Sequence, residues 1–323
     1  TYIDSDVPVQ VSGITGIIAI AAGYDHSLAL KNGGTVWAWG YNGYGQTGQG
    51  TSGGNQLTPI QVPLGGVTMG SIACGGHHCL ALSTPGGNLY AWGLNSSGQV
   101  GNGNNTSPVT SPASIGSFSY RVIAGGGAHS LAIGVNGQAY AWGDDGSGQL
   151  GDDALFVDKW TPTLVAGSLS GVTDVVSIAA GYSHSISCRA DTTTHTWGSD
   201  TSGQLGNGAV TGAQALPASL GYSGQKVVAG YSHSIIIYPG GYIYAFGDNG
   251  QGQCQNDPGG TATFASPVGL GWLTPRQASV VGGLSRHVML VQPNGSLMAW
   301  GDNDQGQLGL GSTSAYQFAA VYP

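Results

Sequence analysis

The sequence predicts an all-β protein of the β-propeller class, with six four-stranded blades. The first observation is a repeat that runs through all 323 residues and carries one histidine per unit. The spacings are 52, 51, 55, 49 and 54 residues, between His26, His78, His129, His184, His233 and His287. The second observation is the composition, since 60 residues are Gly and no helical periodicity is sustained along the chain. Such a chain forms an array of small sheets, each stable only against its neighbours.

Each repeat contains four strand signals in a constant order. In the first repeat, an apolar run at residues 17–22 leads through a Gly-containing bend to a second apolar strand that starts at His26. A Gly-Gly turn at residues 32–34 reverses the chain into an aromatic strand ending at Trp39-Gly40. After a Gly-Gln loop, Pro59 belongs to a short outer strand, where a missing N–H costs little. Apolar residues on both strand faces predict sheets packed between two others.

A spare segment at the N-terminus predicts how the ring closes. Residues 7–11 resemble an additional outer strand, and we expect them to pair in the sixth blade and remove its open edge. The organisation expected is an N-terminal extension at residues 1–6 and a single propeller domain at residues 7–323.

The composite of a Gly-x-x-His-Ser bend, a Trp-Gly strand end and a Gly-Gln-Leu-Gly loop resembles the tandem repeat of the regulator of chromosome condensation family. The resemblance covers essentially the whole chain and implies a β-propeller, usually of seven blades, so seven stays open beside six. Because this fold hosts unrelated functions, the resemblance implies no particular activity. The light-sensing members' Gly-Trp-Arg-His-Thr motif needs a Trp two residues before the histidine, and none of the six repeats has it.

Charge and hydropathy limit the partners. The chain has 7 Lys and Arg against 15 acidic residues, a net charge of −8, so a surface that binds nucleic acid is not expected. No apolar run approaches the length of a membrane span, so we expect no membrane insertion. The chain starts at Thr1 rather than Met, which we interpret as a leader that was removed or lies outside the sequence. The partner expected is a protein or a glycan.

The candidate catalytic and metal-binding residues have simpler structural interpretations. One histidine per repeat at a constant bend is explained as a hydrogen-bonded structural group rather than as a ring of metal ligands. The Asp-rich loops at residues 144–146 and 302–306 lack the bidentate Glu of a calcium loop, which leaves calcium as a lesser alternative. We therefore expect no catalytic residue, no cofactor and no metal.

The four cysteines are of two kinds. Cys188 and Cys254 replace apolar residues of other repeats and are interpreted as core substitutes. Cys74 and Cys79 flank a Gly-Gly-His-His bend, where a disulfide or two free thiols are both possible. A Cys-x-x-His-His-Cys metal site is a third alternative, although its spacing matches no usual zinc pattern.

The candidate interface lies where a repeat departs from the consensus. Most loops after Gly-Gln-Leu-Gly are polar, but residues 152–160 combine charges with Leu155, Phe156, Val157 and Trp160. Apolar anchors rimmed by charge are typical of protein interfaces. The alternative is that these side chains only cover the edge of their own blade. Trp272 is a weaker second candidate.

The function predicted is that of a non-enzymatic extracellular or cell-surface β-propeller that presents loops to a protein or glycan. The structural alternative is a self-assembling subunit or decorating domain of a surface filament, pilus-like fibre or virion. A glycan-active enzyme is a distant third, because no carboxylate pair can be assigned to a pocket from the sequence.

Overall fold

A computed structural model describes residues 5–152, 156–167, 174–254, 262–272, 277–279, 285–292, 294–314 and 316–321. These residues form six four-stranded antiparallel blades, which confirms the predicted β-propeller class. Blade 1 contains β1 (Ile17–Ala22), β2 (His26–Lys31), β3 (Val36–Tyr41) and β4 (Asn55–Gln61). Blade 2 contains β5 (Met69–Cys74), β6 (His78–Ser83), β7 (Asn88–Gly93) and the first part of β8 (Val109–Gly125). Blade 3 contains the second part of β8, β9 (His129–Gly134), β10 (Ala139–Gly143) and β11 (Lys159–Leu164).

The remaining three blades follow the same order. Blade 4 contains β12 (Val175–Ala180), β13 (His184–Arg189), β14 (Thr193–Ser199) and β15 (Ala213–Ser223). Blade 5 contains β16 (Lys226–Ala229), β17 (His233–Ile237), β18 (Tyr242–Asp248) and β19 (Thr263–Trp272). Blade 6 contains β20 (Gln277–Ser279), β21 (His287–Val291), β22 (Leu297–Asp302) and β23 (Tyr316–Val321). Within the described residues, no helix is long and apolar enough to cross a membrane.

The prediction that the N-terminal segment completes the sixth blade is wrong. The outer strand of blade 6 is β23, whose Gln317 pairs with Gly301 of β22, and residues 5–11 form no strand. The sixth repeat has Ala320 where four earlier repeats have the Pro of the outer strand, so its own strand went unrecognised. Each repeat therefore supplies all four strands of its blade.

Neighbouring blades are joined by the aromatic residue of the third strand. Trp142 is completely buried, and its Nε1 donates to the carbonyl of Gln99 in the preceding blade at 2.9 Å. Trp92, Trp197 and Trp300 make the same bond to Gln46, Gln149 and Gln253. The Gly after each aromatic residue is required by packing. Gly93 has φ +107°, and a Cβ there would lie 2.5 Å from the carbonyl oxygen of His77. The core thus lies mainly between blades.

The N-terminal segment lies beside blade 6 at a position that outer strands take elsewhere. The Asp6 carbonyl accepts a hydrogen bond from Gly311 N at 2.7 Å. In the same way, Thr110 of blade 2 accepts from Gly50 of blade 1, at 2.9 Å. Residues 5–7 therefore occupy the outer-strand position of a blade that would follow blade 6.

Blades 6 and 1 do not cover each other as the other neighbours do. Ser27 and Trp39 of blade 1 are only half-buried, whereas their counterparts in the other five blades are fully buried. Gln307 of blade 6 is likewise half-buried, unlike the Gln of the other five loops. Among the described residues, no hydrogen bond joins His287 to Ser27. We call these two partly uncovered faces the seam, and the described residues do not confirm the closed six-blade ring that was expected.

Candidate functional site

Three of the repeated histidines hydrogen-bond across blade boundaries. The Nε2 atoms of His78, His129 and His184 lie 2.8, 3.1 and 2.9 Å from the hydroxyls of Ser130, Ser185 and Ser234. Each of these hydroxyls donates to a Gln backbone carbonyl, so the imidazole must donate from Nε2. Burial lowers the pKa of His78 and His129 to about 3 and that of His184 to about 4. These histidines are therefore neutral near pH 7 and join one blade to the next.

Two other blade boundaries differ from this pattern. Val288 replaces the serine at the boundary between blades 5 and 6, and both ring nitrogens of His233 are buried without a partner among the described residues. At the first boundary, Cys79 replaces the serine, and its Sγ lies 3.2 Å from Nε2 of His26. Cys74 pairs with Cys79 across β5 and β6, and both are free thiols. Cys188 and Cys254 are buried in separate clusters, as expected of core substitutes.

The bends between the first two strands of the blades bring several tyrosines together. Tyr182 stacks on Tyr231, with ring centroids 4.6 Å apart, and the guanidinium of Arg286 lies 5.4 Å from the centroid of Tyr231. Burial, together with the nearby Tyr182 and Tyr231 hydroxyls, raises the pKa of Tyr24. Blades 1, 4, 5 and 6 therefore contribute to one surface.

His77 extends this surface toward blade 1. Its ring centroid lies 5.1 Å from those of both Tyr24 and Tyr44, and Tyr41 packs against Tyr44 at 6.0 Å. We call Tyr24, Tyr41, Tyr44, His77, Tyr182, Tyr231 and Arg286 the tyrosine cluster. Tyr24 and Tyr182 are each about 40% exposed, at 40% and 41%. Aromatic rings with an arginine are the side chains that protein interfaces favour.

Sequence reasoning missed the tyrosine cluster, although a signal was present. Tyr24, Tyr182 and Tyr231 stand at the same position of three repeats, two residues before the histidine. Nothing in the spacing shows that the first, fourth and fifth repeats meet at these rings.

The predicted interface loop is on the same face as the bends, because the third strand of each blade ends there. Phe156, Val157 and Trp160 are exposed, at 44%, 53% and 44%. The backbone of Trp160 also covers blade 2, since a Cβ on Gly98 would lie 2.8 Å from its Cα. Trp160 therefore combines an exposed ring with a role at a blade boundary. Leu155 lies outside the described residues. Trp272 ends β19, and its side chain is outside them too.

The charges beside this loop are paired. Lys159 forms a salt bridge with Asp152 at 3.0 Å, and the carboxylate of Asp158 accepts a hydrogen bond from Asp145 N at 3.0 Å. Burial raises the pKa of Asp145 to about 6. These contacts hold Asp152, Asp158 and Lys159, which lie on either side of Phe156 and Val157 in the chain.

A cavity of about 600 Å³ lies between the inner strands of blades 1 to 5. Its walls include Ile72, Ile178 and Val228 from the inner strands, and Ser27 and Trp39 from the seam. The described wall is mainly apolar, with Lys226 as its charged residue. Its composition suits an apolar occupant more than a charged one.

The radial order of the sheets, the histidine bends and the Gly-Gln loops define a repeat β-propeller. The chain belongs to the family described as the regulator of chromosome condensation (RCC1) repeat. One family model of this repeat matches residues 17–46, 71–99 and 225–253, and another matches residues 33–82, 86–133 and 136–188.

The ultraviolet-B receptor UVR8 of Arabidopsis thaliana is 29% identical over 332 residues, covering 98% of this chain and 73% of that protein. Human WBSCR16 shares the fold with a TM-score of 0.83 and 23% identity, over 98% of this chain and 84% of that one. Yeast RCC1 (Prp20), solved bound to Kap60, has a TM-score of 0.80 and 23% identity, covering 95% and 74% of the two chains. The chain is thus similar to a receptor in sequence and to both solved proteins in fold.

Proposed function

We propose that this chain is a non-enzymatic protein-binding β-propeller, located outside the cell or at its surface, which binds its partner with the tyrosine cluster. The observation that carries the proposal is the exposed stack of Tyr182 on Tyr231 beside Arg286. Such rings contribute large contact areas at a small entropic cost, because each tyrosine has only two side-chain torsions. Phe156 and Val157 lie on the same face and extend the apolar surface.

Protein binding by a structural neighbour supports this class of function. Yeast Prp20 is described in complex with Kap60, and with binding properties toward Gsp1p and histones. A surface location is proposed from the low charge and the polar composition of the chain. The exclusion of nucleic acid stays a prediction from the net charge.

The test uses a double substitution, Tyr182→Ser with Tyr231→Ser, and a matched control on the opposite face. Val135 is 63% exposed in the turn after β9, so Val135→Ser removes an exposed apolar group away from the cluster. Surface proteins of the source cell and a glycan array are probed with each variant, and the affinity of the recovered partner is measured by calorimetry. We expect a protein partner whose affinity falls at least about tenfold with the tyrosine variant only. Equal affinities for both variants, or a partner that is a glycan, would contradict the proposal.

Self-assembly is a second candidate, favoured by the seam. Ile18 and Ile20 of β1 are 63% and 78% exposed, a large apolar exposure for an inner strand. In this alternative, the occupant of the seam is a second copy of the chain. Native mass spectrometry over a concentration series distinguishes it, because Ile20→Ser should then shift the chain from oligomer to monomer, whereas Val135→Ser should not.

A further inference from the structure

The boundary between blades 1 and 2 has cysteines at two paired positions where blades 4 and 5 have an alanine and a serine. At the positions of Cys74 and Cys79, blade 4 has Ala180 and Ser185, and blade 5 has Ala229 and Ser234. A single exchange of Ser for Cys would only weaken the hydrogen bond from the histidine. The paired exchange instead places two thiols beside the same imidazole.

The geometry points to a metal site formed by His26, Cys74 and Cys79, and we propose that it binds one monovalent copper ion, Cu(I). The three ligand atoms lie within 4.8 Å of one another, and all three residues are buried. The closest pair is Nε2 of His26 and Sγ of Cys79, at 3.2 Å. An ion at the centre of this triangle would need only small side-chain movements to reach all three ligands.

The donor set selects the ion. Two thiolates and one imidazole are soft ligands of the kind that bind Cu(I) or Zn²⁺. A structural zinc ion requires four ligands, and among the described residues no fourth His, Cys, Asp or Glu joins the group. Cu(I) accepts three soft ligands and needs no bound water, which suits a buried site.

Cu(I) binds the thiolate form of cysteine, so both thiols must lose their protons when the ion enters the site. When Cu(I) binds, it forms two Cu–S bonds and one Cu–N bond while the two thiols release two protons, with no change in oxidation state.

The proposed site lies next to the cavity of about 600 Å³, because Cys74 is one of the residues that line it.

The test is an anaerobic titration of the reduced full chain with Cu(I), in competition with a chromophoric Cu(I) chelator. We expect one high-affinity Cu(I) per chain and an affinity at least about 100-fold lower in Cys74→Ala with Cys79→Ser. That variant restores the residues of blades 4 and 5, so it should fold, and far-ultraviolet circular dichroism checks that it does. X-ray absorption of the copper-loaded protein should show two sulfur ligands and one nitrogen ligand.

The matched control removes the other two cysteines. Val100 and Val291 stand at the positions of Cys254 and Cys188 in other repeats, so Cys188→Val with Cys254→Val tests thiol content alone. The control should keep the high-affinity site. Three results would each overturn the proposal. They are equal Cu(I) affinities of the two double variants, failure of the wild-type chain to take Cu(I) from the chelator, and tighter binding of Zn²⁺ than of Cu(I).

Discussion

Blade 4 and blade 1 contain the same four strands but have different surroundings. Ile178 on the inner strand of blade 4 is 6% exposed, whereas Ile20 at the matching position of blade 1 is 78% exposed. Trp197 is fully buried and bonded to Gln149, while Trp39 is half-buried in the wall of the cavity. The difference shows that each repeat specifies only one of the two packing faces that meet at a boundary between blades. A core residue becomes buried only where the preceding blade supplies the other half.

The largest expected effect is acid unfolding of the covered boundaries. Burial holds the pKa of His78, His129 and His233 at about 3 and that of His184 at about 4, below the unfolded value of about 6.5. Between these values the unfolded chain binds more protons, so the free energy of unfolding falls as the pH falls. Each of these four histidines should lower the free energy of unfolding by about 2 kcal/mol between pH 7 and pH 5. The four losses together are comparable with the whole stability of a domain.

Circular dichroism between pH 7 and pH 3 measures this effect. Asp145 acts in the opposite direction, because burial raises its pKa to about 6 and the folded state then gains stability as it takes up a proton. One such group does not offset four histidines. A near-ultraviolet spectrum that stays unchanged down to pH 3 would show that the covered boundaries do not hold neutral histidines.

The second prediction compares two tryptophans. Trp142→Ala should lower the free energy of unfolding by about 3 to 5 kcal/mol, because a fully buried ring and its bond to Gln99 are lost. Trp39→Ala should cost only about 1 to 2 kcal/mol, because its ring is already partly exposed and makes no hydrogen bond to a Gln carbonyl among the described residues. Urea denaturation of both variants tests the difference. Equal losses would mean that the seam is covered in solution.

The third prediction applies the same comparison to the histidines. His184→Ala should cost about 1 to 3 kcal/mol, since the hydroxyl of Ser234 loses its donor inside a covered boundary. His287→Ala should cost less than about 1 kcal/mol, because the residue is only partly buried and no serine hydroxyl bonds to its ring among the described residues. Thermal unfolding of the two purified variants provides the measurement. A larger loss at His287 would place an unseen partner group at the seam.

The smallest effect on stability is expected at the predicted interface loop. Phe156→Ser with Trp160→Ser should change the melting temperature by no more than about 3 °C, since each residue is 44% exposed and so only partly packed. Partner capture or assembly by the same variant should be lost if this loop contributes to binding. Global unfolding would instead assign Trp160 to the boundary with blade 2, where its backbone covers Gly98.

Much of the blade was predictable from the repeat. The bend before His184 and the strand that contains Trp197 follow from residues close together in the chain. The sixth outer strand was not predicted, because β23 lacks the proline that marks it in four earlier repeats. The exposed aromatic residues of the loop at 156–160 were found because they depart from the consensus of their neighbours.

The candidate sites were less accessible to such reasoning. Cys74 and Cys79 were recognised as a pair, but their third member, His26, belongs to the preceding repeat. The stack of Tyr182 on Tyr231 joins two blades, and only the packing of their bends brings the rings together.

Local sequence was sufficient to specify the strands, the bends, the aromatic contacts and the order of the blades, because each depends on one repeat and its immediate neighbour. The tertiary arrangement decided which blade faces stay uncovered, where the N-terminal segment lies and which distant side chains meet. Those outcomes depend on the angles between successive sheets, which accumulate over the whole array. A small change in packing at each boundary therefore separates a closed ring from one with a seam, even when every blade has the same pattern.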